Sequence, residues 1–493
     1  MGVDEIVGVR DEASPEVARR VLAWLGSAGA EELTEAESLD LIALMESVKG
    51  AAAAVQARVT DRFVTGRDAE TARALAHEEI DPAHAKRARA GTRCEVALAR
   101  RCSPALADRH VGLAIALSSE MHHTMAALQR GEVSEWRATL MVRETACLSA
   151  ADRTEVDRRV GPDLPQLGDR AIIRAAQRVA VELDQESVVA RRARAAASRR
   201  VSVRPAADGM AYLSVLGPLA EVVGAYAAMT AAERSRWATT GDPRIDALRA
   251  GDTRGVGEWM ADTALARLSG REEGQVQPVE INLVMTPGAL LPELATGSGS
   301  DARVEIPGWG TAPAEDIRTQ IRRLIVEAGD EGGLAAGVWL RRLFTSPDER
   351  DLVSMDSSRR RFGGALRTFV QLRDPTCRFP WCDAPTRDID HITRHADGGA
   401  TSGTNGMGLC HRHNQIKELP GWRVTVEVAG HGPPGDRSDR SDLGHRTHAV
   451  AISTPAGRLA FAAAPPILGI GTTWHPPLSP AEQYYQTLLA AAA

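Results

Sequence analysis

Along residues 15–200 the apolar positions recur at three- and four-residue steps, the spacing of helices that bury one face. Thr34-Glu35-Ala36-Glu37 reads as a capping box. Leu41, Met45, Val48, Ala52, Val55 and Val59 follow it at alternating steps of four and three. That stripe predicts one long amphipathic helix packed against others of its own domain, with a dimer seam as the sharper use of the same face. The helical pattern resumes over residues 111–128 and 132–148, on either side of Gly131. The arginines between Arg191 and Arg200 form a basic helical face that is expected to be solvated.

From residue 201 the period shortens to two. Residues 201–216 alternate around Asp208-Gly209 and predict a β-hairpin; residues 279–285 and 304–306 are further strand candidates, with helices between them and after Pro313. Residues 356–372 carry Phe362, Leu366 and Phe369 on one side and predict a basic amphipathic helix ending at Asp374-Pro375. Residues 422–428 read as a strand and 429–447 as a flexible loop. Residues 449–453 and 458–462 are patterned to pair around Thr454-Pro455-Ala456-Gly457. The expected fold is mostly α with small β elements. A helical domain covers 1–200, an α+β continuation 201–350, a small module 356–428, and a flexible loop and C-terminal tail 429–493.

Composition adjusts this picture in two places. The chain has 493 residues and a formal net charge of −6, which excludes a protein that binds nucleic acid with its whole surface. Its 59 basic residues include only three lysines, Lys49, Lys86 and Lys417, a bias that reflects coding composition. Between Arg359 and Arg423 the balance reverses, with eleven Lys or Arg against six Asp or Glu, so this segment suits a phosphate-rich ligand. The acidic N-terminus lacks the features of a secretory signal, no apolar run is long enough to span a bilayer, and the cysteines suggest no disulfide framework. A cytoplasmic location without membrane association is therefore expected.

The chemistry is concentrated in residues 374–417. Cys377 with Cys382, and Cys410 with His413, bring four soft or borderline ligands in two short-spaced couples, the arrangement of a closed tetrahedral zinc site. Cys94, Cys102 and Cys147 lie in Ala-rich helical surroundings without matching spacing and are expected to be inert. Asp388-Ile389-Asp390-His391-Ile392 alternates as a short strand, placing Asp390 and His391 on opposite faces. Residues 409–419 read as a helix on which His413 faces zinc and Asn414 a neighbouring cleft. Asp390, His391, Asn405 and Asn414 are types that bind a hard cation or move a proton, and none is needed by the zinc. Asp388 is expected to make a local hydrogen bond or face solvent, and Trp381 to serve packing.

The strings Cys377-Arg378-Phe379-Pro380-Trp381-Cys382, Asp390-His391-Ile392, Asp397-Gly398-Gly399, Thr404-Asn405-Gly406 and Leu409-Cys410-His411-Arg412-His413-Asn414, in this order, resemble the HNH endonuclease motif in its zinc-knuckle subclass. The resemblance covers roughly residues 359–428. It departs at Asn414, where the family often has His, and around Arg394, where it often has Pro. It implies a ββα-metal fold and cleavage of DNA, with RNA also open. In that reading His391 is the general base, oriented with help from Asn405, and Asp390 and Asn414 hold a catalytic Mg²⁺ or Mn²⁺. Arg394, Arg412 and Lys417 would contact the nucleic acid. The alternative is a zinc-stabilised nucleic-acid-binding protein without nuclease activity. Gly131-Glu132-Val133-Ser134-Glu135-Trp136-Arg137, with Pro307-Gly308-Trp309-Gly310, resembles a domain of unknown function typical of actinobacterial HNH proteins and implies no chemistry.

Overall fold

The structure is a computed structural model. It describes residues 14–27, 29, 33–236, 238–270, 283, 285, 289, 292, 302–306, 310–330, 356–357, 362–429 and 447–465. The chain divides into two compact units, 1–192 and 193–493. The described residues are mostly helical with short antiparallel strands, as the hydrophobic pattern requires.

The first unit contains helices α1 (Pro15–Ser27), α2 (Glu35–Ala76), α3 (Pro82–Arg100), α4 (Pro104–Ser119), α5 (His122–Gln129), α6 (Glu135–Thr145), α7 (Ala150–Val160) and α8 (Asp169–Leu183), and most of α9 (Gln185–Ala197). The capping box forms at the start of α2: the Glu37 amide donates to Thr34 Oγ1, and the Thr34 amide donates to the Glu37 carboxylate. The face that α2 buries is not the expected one. Gly50, Ala54, Ala57, Thr60 and Val64 are buried, whereas Val48 and Val59 are exposed. The reason is close approach: a Cβ on Gly50 would lie 2.7 Å from the carbonyl oxygen of Val133, so small side chains, not the bulkier stripe, set the contact. The helix expected over 111–128 is also interrupted. Asp157, fully buried, accepts from the amides of His123 and Thr124 and from the Thr124 hydroxyl, so its carboxylate satisfies the first turn of a separate α5. Leu117, Met121, Leu128, Leu140, Met141 and Ile172 belong to the main core of this unit.

In the second unit β1 (Arg200–Pro205) pairs antiparallel with β2 (Ala211–Leu216), from Arg200 opposite Leu216 to Pro205 opposite Ala211. Asp208 and Gly209 both have positive φ, as the expected two-residue turn demands. Then come α10 (Leu219–Ser235), α11 (Pro243–Ala250), α12 (Val256–Ser269), the antiparallel pair β3 (Arg303–Ile306) and β4 (Gly310–Pro313), and α13 (Ala314–Asp330). The strand expected at 279–285 lies mostly outside the described residues.

The helix expected over 356–372 is shorter at its N-terminal end. Asp356–Ser357 is β5, paired with β7 (Thr401–Ser402), and α14 begins only at Gly364, running to Arg373. Strand β6 (Asp388–His391) pairs antiparallel with β8 (Gly406–Leu409), and α15 (His411–Ile416) follows. Strand β9 (Arg423–Ala429), at the expected end of the module, forms with β10 (Thr447–Ser453) and β11 (Leu459–Ala463) a three-stranded antiparallel sheet in the order β11-β10-β9. That sheet joins the module rather than trailing from it: Arg378 donates to the carbonyls of His448 and Ala462, and His448 Nε2 lies 2.9 Å from the Thr404 carbonyl.

Candidate metal centre and pocket

The frame of the site is fixed by a buried charge cluster. Asp374 is completely buried; its carboxylate accepts from Arg373 Nε (2.9 Å) and Nη2 (2.7 Å) and from the Gly408 amide (2.9 Å), with Arg378 Nη1 at 3.7 Å. Burial pushes its carboxyl up, but the Arg373 and Arg378 charges outweigh that and hold it below the usual range. Arg373 also donates to the carbonyls of Gly403 and Gly406. One helix end, the segment around Cys377, β8 and the loop before it are thus joined by groups that cannot be left unpaired. This cluster hides two of the eleven basic residues of the segment from any ligand.

Around it the chain turns to present the four soft ligands. The Cys377 amide donates to Ala384 and the Cys382 amide to Phe379, with Trp381 at φ +59° between the cysteines. Trp381 stands exposed at the tip of this turn instead of packing. Cys410 caps α15, its sulfur accepting from the His413 amide. The ligand atoms of Cys377, Cys382, Cys410 and His413 all lie within 4.8 Å of one another, and the set could hold a metal ion. Cys382 Sγ and Cys410 Sγ are 3.8 Å apart, and His413 Nδ1 lies 3.3 Å from Cys377 Sγ and 3.5 Å from Cys410 Sγ. A tetrahedral zinc at about 2.3 Å from sulfur separates neighbouring sulfurs by about 3.8 Å, so these dimensions fit. Hydrogen bonds among the three thiols pull the Cys410 thiol below its ordinary range and push the Cys377 thiol above it. Phe379 stacks on the His413 ring at 4.0 Å, fixing its plane. Cys94, Cys102 and Cys147 join no metal-binding group among the described residues.

Asp390 and His391, expected on opposite faces of β6, instead converge at its end: their side chains approach to 3.7 Å and line one pocket. His391 is buried, its ring centroid 4.8 Å from that of Phe362 and its Nε2 2.9 Å from Thr401 Oγ1. Burial lowers its pKa, so the imidazole stays neutral further into the acid range than a free histidine. Thr401 Oγ1 pairs with Nε2, and Nδ1 faces Asp390 Oδ1 at 3.7 Å. Desolvation pushes the Asp390 carboxyl up, but the hydrogen bond and charge of Lys417 prevail and keep it below the usual range.

Asn405 does not touch the imidazole. Its side chain clamps the intervening loop: Oδ1 accepts from the Thr393 amide, and Nδ2 donates to the carbonyls of Thr393 and Ala400. Gly399 passes so close that a Cβ there would meet the Thr393 oxygen at 1.9 Å. Asn405 therefore positions the segment that carries Thr401.

Helix α15 meets β6 along a stripe of every third residue. His411 Nδ1 lies 3.2 Å from Asp388, the Asn414 amide donates to Asp388 over 3.4 Å, and Lys417 Nζ lies 2.9 Å from Asp390 Oδ2. Asn414 Oδ1 is buried without a hydrogen-bond partner, which suits an oxygen awaiting a cation. Lys417, expected at the nucleic-acid interface, is covered in this structure: its side chain is only 3 % exposed, and its ammonium is held by Asp390, by the His391 carbonyl at 3.2 Å and by Glu418. Arg394 is exposed, though paired with Glu418, and Arg412 is partly buried.

Asp390, His391, Arg394 and Lys417 come together on one pocket of about 540 Å³, also lined by Arg367, His395 and Glu418; Asn414 does not line it. Thr401, Glu418 and Asp374 were not legible as site residues, since no motif marks them. Only their partners in space reveal them.

No known family's sequence profile matches this chain, and no solved structure matches it. Three curated relatives from Mycobacterium tuberculosis do. The uncharacterized protein Rv3776 is 35% identical over 139 residues, covering 27% of this chain and 23% of the relative. The uncharacterized proteins MT2160 and Rv2100 are each 43% identical over 61 residues, 12% of this chain and 11% of their own length. The chain thus spans less than a quarter of each of these relatives. Among the described residues no helix is long and apolar enough to cross a membrane.

Proposed function

We propose that the module of residues 356–428 is an HNH-type endonuclease that hydrolyses phosphodiester bonds in DNA, with zinc on Cys377, Cys382, Cys410 and His413 as a structural pin. The observation that carries this reading is the pairing of a neutral, buried His391, oriented by Thr401, with an ionised Asp390 on a pocket lined by Arg367 and Arg394.

Each residue has a distinct task in this scheme. His391 Nδ1 takes the proton from an attacking water, which only the neutral ring can do. Thr401 fixes the rotamer, and Asn405 holds the loop that carries Thr401. Arg394 and Arg412 attract phosphate. Asp390 would hold Mg²⁺ or Mn²⁺, with Asn414 as the second ligand that the resemblance implies. When bound, such a cation neutralises charge on the phosphate and steadies the departing 3′ oxygen.

Incubation of the full chain with supercoiled plasmid and either cation tests the reading. The expected result is nicked or linear product from the wild type and none from His391→Ala at equal zinc content. Equal cleavage by both proteins, or none by the wild type with any cation, overturns it. One observation favours the second reading, a zinc-stabilised nucleic-acid binder without catalysis: Lys417 occupies the Asp390 carboxylate. Salt-dependent DNA binding without cleavage is its signature.

A further inference from the structure

Lys417 is one of three lysines in a chain of 493 residues, and it is buried at the edge of the pocket. Its ammonium is surrounded by oxygen: Asp390 Oδ2 at 2.9 Å, the His391 carbonyl at 3.2 Å, and Glu418 Oε1. Two carboxylates and a backbone carbonyl converging on one cation are the donor types that hard divalent ions select. The second oxygen of Asp390 is not idle either, since it accepts from the His391 amide at 2.9 Å. Three cationic side chains (Arg367, Arg394, Lys417) and two carboxylates (Asp390, Glu418) line this pocket, so an arriving divalent ion meets a net positive wall.

We propose that the Lys417 ammonium stands in the seat of the divalent cation, that Asp390, Glu418 and the His391 carbonyl supply the oxygens of that seat, and that cation binding displaces Lys417. The proposal rests on the nuclease reading for its purpose, but its chemistry concerns cation binding alone. Glu418 adds a second carboxylate beside Asp390 on the pocket lining. The displaced ammonium is then free to meet phosphate, so cation and nucleic acid are expected to favour each other's binding.

The test is calorimetric titration of Mn²⁺ into the zinc-loaded full chain without nucleic acid. Lys417→Met keeps the aliphatic stem and removes the competing charge; it is expected to bind Mn²⁺ about tenfold more tightly than the wild type. Adding Glu418→Gln to that variant reverses most of the gain, and Glu418→Gln alone, at an exposed side chain, weakens Mn²⁺ binding several-fold. Zinc content confirms that each variant is folded. Unchanged or weaker binding in folded Lys417→Met, or no effect of Glu418→Gln in either background, overturns the proposal. If Lys417→Met does not fold, the single Glu418→Gln result decides. Absence of plasmid cleavage with the binding pattern intact refutes the nuclease reading and leaves the cation seat standing.

Discussion

Replacing Asp374 by Asn is the most severe single-atom change the second unit is expected to suffer. The carboxylate is completely buried between Arg373 and Arg378 and also accepts the Gly408 amide. Asn keeps one acceptor oxygen, but its amide nitrogen turns a donor towards a guanidinium and leaves both arginines without a counter-charge. Removing one partner of a buried ion pair costs roughly 3–5 kcal/mol, more than an ordinary lost hydrogen bond, because the remaining charge stays desolvated. With a urea slope of about 2 kcal/mol per molar, a loss near 4 kcal/mol moves the unfolding midpoint down by about 2 M. Zinc release to a chromogenic chelator during a urea titration at pH 7 reports the opening of this unit alone. The sign of the pH dependence follows from the lowered carboxyl: the wild-type contribution is present above the ordinary carboxylate range and is lost as pH falls through the depressed value. A midpoint shift under about 0.5 M in Asp374→Asn would refute the view that this cluster holds the site frame together.

Four further outcomes are expected. Cys410→Ser should lose zinc and unfold the module around it, because a structural metal contributes its binding energy to folding; a variant with full zinc content and an unchanged melt contradicts this. Thr401→Val, which removes the partner of His391 Nε2, should lower cleavage by roughly tenfold or more while zinc content stays unchanged, and cleavage at the wild-type rate denies Thr401 its orienting role. In the pH profile of cleavage the acid limb should fall below the ordinary histidine range, since burial depresses the pKa of His391 and the base stays unprotonated as pH drops; a limb at or above pH 6.5 is the opposing result. His448 is pushed down to about 3 by burial and by Arg373 and Arg378, so the unfolded chain binds this proton first. Stability of the second unit should therefore fall as pH drops from about 6.5 towards 3, and His448→Gln should flatten that slope.

Much of this protein was written in residue order. The capping box at Thr34, the Asp208-Gly209 hairpin and the two ligand couples at Cys377/Cys382 and Cys410/His413 are local patterns, and each fixes geometry within a few residues of itself. Strand alternation predicted Asp390 and His391 on opposite faces, but at the end of β6 the two side chains approach to 3.7 Å and share one pocket. What the sequence could not determine were choices among competing partners. Which stripe of α2 is buried was decided by the close approach of Gly50 to Val133, a contact between residues 83 positions apart. Lys417 read as a phosphate ligand because an isolated lysine beside a motif looks solvent-facing; only the packing of α15 against β6 brings its ammonium onto Asp390 and under cover. Thr401, Glu418 and the Arg373–Asp374–Arg378 cluster owe their roles to neighbours supplied by the fold, and the C-terminal sheet joins the module through Arg378. Ion pairs and hydrogen bonds between distant segments depend on distance and desolvation, and those two quantities exist only once the chain has folded.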